Sequence, residues 1–126
     1  MPAFIEVTVV EGIELKNPVS DGDIKPSLRL YTSNNFFKKA KTSTLDHDKR
    51  YIWNESFEFN FDKKHDKLYV ELFDRSHIRR SYSKLGVTVV DVHDIKQERD
   101  IDDWYTLSNQ EGDQVGRVHL RMNYKL

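Results

Sequence analysis

The 126-residue chain contains no cysteine, which excludes a disulfide framework and any metal site built on thiolates. It also lacks an excess of either charge, since 20 lysines and arginines stand against 21 acidic residues and the net charge is −1. Dedicated nucleic-acid-binding domains are usually strongly basic, so we expect no nucleic-acid partner. An anionic partner would have to be met by a local basic patch rather than by the molecule as a whole.

Long hydrophobic runs are missing as well. No segment approaches the roughly 18 consecutive apolar residues that a membrane-spanning helix needs. The N-terminal stretch MPAFIEVTVVEGIEL has no basic leader and is not expected to be a signal peptide. The length suits a single domain over residues 1–126, and the absence of cysteine fits the reducing environment of the cytoplasm.

The motifs of catalysis are absent from the sequence. It has no glycine-rich phosphate loop, no nucleophile elbow and no recognisable pair of catalytic carboxylates. Its five histidines, at positions 47, 65, 77, 93 and 119, do not have the spacing of metal ligands. The sequence therefore does not predict an enzyme.

What the sequence does contain is apolar residues that alternate with polar ones through most of its length. Strands with one buried face have this period of two. It is seen in six runs: 5–9, 28–31, 57–61, 68–72, 85–89 and 118–124. Clusters of turn-forming residues separate the runs, and the only helical turn expected is a connector at 92–100. The pattern predicts an all-β fold, an antiparallel sandwich of about eight strands.

Several motifs follow one another in the order and spacing of the C2 domain family, which the chain resembles over almost its whole length. They are EVTVVEGIEL at 6–15, Lys41-Thr42, Trp53-Asn54-Glu55 before a phenylalanine-rich strand, LYVELFD at 68–74, Leu85-Gly86, and a closing pattern of Trp104, Leu107, Gly116, Val118, Leu120 and Tyr124. The resemblance implies an eight-stranded antiparallel sandwich in the type II permutation.

Many C2 domains bind calcium through carboxylates on two loops at one end of the sandwich. In the first loop, Lys25 and Val19 stand where the family has aspartates, and Asp21 and Asp23 are out of register. In the second, Asp74 remains, but Ser76 takes the next position and Tyr82 or Ser83 the last. We therefore expect no calcium cofactor, and we expect Asp74 to cap the loop or pair with Lys25 or Arg75. A shifted, weak site built from Asp21, Asp23 and Asp74 is the alternative.

The loop after Asp74 is basic and carries two apolar side chains. It contains no acidic residue, and an apolar tip among cations suits the surface of an anionic membrane. Each lysine or arginine near such a surface contributes about 1 kcal/mol. The lipid-binding residues predicted here are Arg75, His77, Ile78, Arg79, Arg80, Tyr82 and Lys84.

A second basic patch is predicted on two neighbouring strands. Arg29 and Tyr31 share one side of their strand, and Lys39 and Lys41 share one side of the next. If the two strands form a hairpin, these side chains meet on one face. Relatives that bind phosphoinositide headgroups have a similar basic face, so Arg29, Lys39 and Lys41 join the predicted lipid-binding set. An acidic stretch at 91–103 lies elsewhere in the chain.

The sequence thus favours a calcium-independent C2 module that associates peripherally with anionic phospholipid membranes in the cytoplasm. A module that binds or scaffolds another protein is one alternative. Low-affinity, calcium-dependent lipid binding is the other.

Overall fold

The computed structural model describes residues 3–18, 23–33, 35, 37–46, 48, 50–61, 66–75 and 83–126. These residues form eight strands and one short helix. In chain order they are β1 (Phe4–Ile13), β2 (Pro26–Thr32), β3 (Ala40–Lys41), β4 (Arg50–Asn60), β5 (Lys67–Asp74), β6 (Ser83–Asp91), α1 (Val92–Glu98), β7 (Asp100–Ser108) and β8 (Gln114–Lys125).

The strands are hydrogen-bonded in the order β3-β2-β5-β6-β7-β8-β1-β4, and every pairing is antiparallel. The pairing of β6 with β7 consists of one residue pair, Val87 with Ser108, whereas the other long strands pair over most of their length. That single link divides the order into two four-stranded halves, β3-β2-β5-β6 and β4-β1-β8-β7.

The core is built from the alternating apolar residues of both halves. The inward side chains of β1, β2, β5 and β8 are almost completely shielded from solvent: Ile5, Val7, Val9, Leu28, Leu30, Leu68, Val70, Leu72, Val118, Leu120 and Met122. On β4, Phe59 is buried, while Phe57 and Phe61 are partly buried and pack against the same cluster. The period-two pattern therefore identified the core faces of these strands correctly.

The predicted inward alternation of Leu85, Val87 and Val89 in β6 is wrong beyond Leu85. Leu72 pairs with Gly86 but Phe73 pairs with Lys84, so Leu85 is the extra residue of a β-bulge. A one-residue shift moves the side chains that follow to the other face. Val89 is consequently exposed and Val90 is buried in its place.

The acidic stretch at 91–103 divides among three elements, and its first residue, Asp91, ends β6. Helix α1 occupies Val92–Glu98, where Val92 and Ile95 are buried one turn apart, and it ends at Arg99, which has a positive φ of 67°. The rest enters β7, a strand that was not recognised individually in the sequence. There the Asp102 carboxylate lies against His119 and 3.3 Å from Arg121 Nε. Arg121 of β8 thus offsets part of the acidic charge.

Candidate functional site

The strands that flank the predicted calcium and lipid loops end at one end of the sandwich. β2 begins at Pro26 directly opposite Asp74, the last residue of β5. The segments 14–25, 42–49 and 75–82 leave the strands at this end. Five predicted lipid-binding residues of the last segment, His77, Ile78, Arg79, Arg80 and Tyr82, lie outside the described residues, as does Asp21.

Asp74 uses both carboxylate oxygens to hold the first of these connections. Its side chain accepts a hydrogen bond from Asn17 Nδ2 at 3.1 Å and another from the backbone N–H of Lys25 at 3.0 Å. The N–H of Arg75 donates to the carbonyl of Lys25 at 3.0 Å. Asp74 is only 3% exposed. It is therefore a buried carboxylate that caps the loop before β2, one of the two alternatives expected from the sequence.

Some other charged residues at this end are open to solvent. Lys25 Nζ lies 3.9 Å from the Asp46 carboxylate, and Asp23 is exposed. Within the described part of the chain, no three histidine or acidic side chains come close enough together to hold a metal ion.

The second predicted patch is formed on the outward face of β2, β3 and β5. Arg29 pairs with Lys41 across β2 and β3, as the predicted hairpin requires. Lys39 lies beyond β3, with its ammonium 4.7 Å from the centre of the Tyr31 ring, and Tyr31 stacks on Tyr69 at 5.1 Å. The hairpin therefore brings together the four side chains expected to share this face.

Glu71 is the centre of this face, and its role was not predicted. Its carboxylate, with the side chain only 5% exposed, is 3.1 Å from Arg29 Nε and 2.8 Å from Lys84 Nζ, and it accepts a hydrogen bond from Tyr31 Oη at 3.2 Å. The guanidinium of Arg29 also lies over the Phe73 ring, 4.4 Å from its centre. One buried carboxylate thus contacts a cation from each predicted basic region, Lys84 from the segment 75–84 and Arg29 from the β2–β3 hairpin.

The charges around Glu71 determine its ionisation. Burial by itself would raise the pKa of Glu71, but the hydrogen bonds and positive charges of Lys84 and Arg29 outweigh it and hold the pKa below its usual value. Burial and the Glu71 carboxylate together raise the pKa of Tyr31, so its hydroxyl keeps its proton. The face consequently carries a fixed buried anion among several cations.

A shallow depression lies beside the ion pair of Arg29 with Glu71. Arg29 and Lys41 line it together with hydroxyl-bearing and aromatic side chains, namely Ser27, Thr42, Thr44 and Phe73. The Thr42 hydroxyl is already engaged, because it accepts the N–H of Leu28 at 2.8 Å and donates to the carbonyl of Ser43. The chemistry of the lining, cations with hydroxyl donors, suits an anionic oxygen such as that of a phosphate.

A model of the C2 domain family matches residues 4–107 of the chain. The chain belongs to the C2 domain family. Its type II, eight-stranded antiparallel sandwich is the fold that the sequence resemblance implied.

Solved structures of other C2-containing proteins superimpose closely. The first C2 domain of plant extended synaptotagmin 1 matches with a TM-score of 0.83 at 19% identity, covering 99% of this chain and 96% of that one. The calcium-bound pair of C2 domains of extended synaptotagmin 2 matches with a TM-score of 0.80 at 22% identity, covering 98% and 46%. Human GIVD cytosolic phospholipase A2 matches with a TM-score of 0.81 at 16% identity, covering 98% and 17%. Identities this low show a common fold.

Within the described residues, no helix of this C2 domain is both long and apolar enough to cross a membrane.

Proposed function

We propose that this C2 domain binds anionic phospholipid membranes peripherally and without calcium. The observation that carries the proposal is the basic face of the β2–β3 hairpin, where Arg29 and Lys41 lie side by side and Lys39 extends the row. Similarity to C2 domains of extended synaptotagmins supports a membrane-binding role in general terms.

The state of Asp74 supports calcium independence. Calcium needs about six to eight oxygen ligands, supplied largely by carboxylates that the ion can approach. Asp74 is the one family carboxylate position that keeps its acid, and its oxygens already accept hydrogen bonds from Asn17 and Lys25. Lys25, in place of a second aspartate, adds a positive charge that repels a divalent cation. This donor set does not fit calcium.

The face offers an anion two kinds of cation. Lys39 and Lys41 are both exposed at this face, and Lys39 lies over the Tyr31 ring. Arg29 and Lys84 contact the buried carboxylate of Glu71. We infer that lipid phosphates meet mainly Lys39 and Lys41, and that Arg29 borders the site as a positioned neighbour. The cations of loop 75–84 add to the attraction at the adjacent end of the sandwich.

The proposal is tested by co-sedimentation with vesicles in EDTA, comparing phosphatidylserine-containing vesicles with pure phosphatidylcholine. The protein should pellet with the anionic vesicles only. Lys39→Ala/Lys41→Ala removes about 2 kcal/mol of attraction and should weaken binding about thirtyfold. Arg79→Ala/Arg80→Ala should weaken it to a similar extent.

The control is Lys96→Ala/Lys125→Ala, which changes the net charge equally but lies on α1 and β8, away from the face. Equal losses in the control and the Lys39/Lys41 variant would contradict a localised site. Absence of vesicle binding, with a protein partner lost on substitution of the same face, would favour the protein-interaction alternative. A melting-temperature rise in millimolar calcium that Asp74→Asn removes would favour the calcium-dependent one.

A further inference from the structure

The loop that joins β2 to β3 displays a phenylalanine to solvent. Phe37 is 89% exposed, more than any other large hydrophobic side chain in the described residues. Lys38 and Lys39 follow it directly in the chain. The loop leaves the sheet where Thr32 pairs with Leu68, at the end opposite to Asp74 and loop 75–84.

The described residues on either side of this side chain are held by backbone hydrogen bonds. The N–H of Asn35 donates to the carbonyl of Thr32 at 3.0 Å, and the N–H of Lys38 donates to the carbonyl of Asn35 at 3.3 Å. The start of the loop is tied to β5 by the N–H of Ser33, which donates to the carbonyl of Lys67 at 2.9 Å. Phe37 therefore lies on a turn anchored to the same strands as the basic face.

The chain segment that carries Phe37 has charge of one sign. Residues 24–45 contain five cations and no acidic residue in a chain whose net charge is −1: Lys25, Arg29, Lys38, Lys39 and Lys41. From the Arg29–Lys41 pair, the basic side chains continue through Lys39 to the turn that carries Phe37. An aromatic residue at the end of a cationic row complements an anionic bilayer, because the ring enters the acyl boundary while the ammonium groups meet phosphates.

We propose that Phe37 is a membrane-inserting anchor, and that the domain lies on an anionic bilayer along the β2–β3 hairpin. This inference rests on the proposed membrane binding and adds a contact at the end of the sandwich opposite to loop 75–84. Lys38, Lys39 and Lys41 hold the hairpin at the headgroups, and the Phe37 ring is buried below them.

The test places a fluorescent reporter at the anchor. Trp104 is replaced by Phe, which leaves only the buried Trp53, and Phe37→Trp is added to this background. The matched control is Ile52→Trp in the same background, since Ile52 is also an exposed apolar residue, 53% accessible, on β4 of the other half of the sandwich. Emission is recorded in EDTA with phosphatidylserine vesicles that contain lipids brominated in the acyl chains.

The Phe37→Trp reporter should shift to the blue and be quenched by brominated anionic vesicles, whereas the Ile52→Trp reporter should not. Phe37→Ala, in the otherwise unchanged protein, should weaken anionic vesicle binding about tenfold or more. Its melting temperature should change little, because the side chain is 89% exposed.

Two results would overturn the inference. If the protein pellets with anionic vesicles but Phe37→Trp is not quenched, or Phe37→Ala binds as tightly as the original, the membrane binding stands and the anchor does not. If neither the original protein nor Phe37→Ala pellets with anionic vesicles, the proposed function fails and this inference fails with it.

Discussion

At the scale of single residues, Glu71 has the largest consequence for the basic face. Its carboxylate neutralises Arg29 and Lys84 and positions Tyr31. The period of two showed that Glu71 lies on the outward face, but its partners come from strands far away in sequence. Which cation meets which anion depends on strand order and register, and a single sequence does not specify either.

Replacement of Glu71 by glutamine should destabilise the domain and change its response to acid. Loss of the negative charge that Arg29 and Lys84 contact should lower the free energy of unfolding by about 2 kcal/mol at pH 7. Because the pKa of folded Glu71 lies below the ordinary value of 4.5, its contribution is complete above that pH and is lost as the pH falls through the folded pKa.

The difference in unfolding free energy between Glu71→Gln and the original protein should therefore shrink below about pH 4.5. Urea denaturation of both proteins at pH 7, 5 and 3.5 measures it. A difference of the same size at all three values would mean that the ionised carboxylate is not what stabilises this face.

At the scale of secondary-structure elements, the start of β8 depends on a glycine. Gly116 has a φ of +140°, and a Cβ there would lie 2.5 Å from Leu15 Cδ2 and 3.0 Å from Leu15 Cα. The backbone atom of Leu15 cannot turn aside as a flexible side chain would. The C2 resemblance includes a glycine at this position, and the close approach of the chain after β1 to β8 supplies its physical reason.

Gly116→Ala should accordingly lower the free energy of unfolding by about 3 kcal/mol, through backbone strain and overpacking together. The matched control is Gly112→Ala, since Gly112 also has a positive φ, of 86°, but a Cβ would meet nothing within 4 Å. Strain alone should cost about 1 kcal/mol there. Thermal and urea denaturation compare the two, and equal losses would contradict the importance of the contact with Leu15.

The elements also show what the sequence predicts well and what it does not. Alternation identified the buried faces of β1, β2, β5 and β8. The pairing of β2 with β5 is uninterrupted, and the register shift of β1 lies beyond its buried Ile5, Val7 and Val9. It failed in β6, where the bulge at Leu85 appears only once Phe73 is paired with Lys84. The meeting of Arg29 with Lys41 was predicted because a hairpin is a local structure. The acidic segment of β7 was missed, since Asp103 interrupts the alternation of Ile101, Tyr105 and Leu107 on its core-facing side.

At the scale of the whole molecule, near-zero net charge conceals an uneven distribution. The segment 24–45 is purely cationic, whereas the acidic residues of 91–103 lie at the end of β6 and on α1 and β7. They are partly offset, Asp91 by Lys67 and Asp102 by Arg121. A surface of this kind attracts an anionic membrane locally without making the protein basic as a whole.

The most direct measurement of the central claim is vesicle partitioning of the unchanged protein in EDTA and, side by side, in millimolar calcium. The partition coefficient on phosphatidylserine-containing vesicles should be the same in both solutions, because the Asp74 carboxylate already accepts hydrogen bonds from Asn17 and Lys25. It should fall as the salt concentration rises, because charge attraction contributes to the binding. Binding that appears only with calcium, or that is equally strong on neutral phosphatidylcholine, would contradict it.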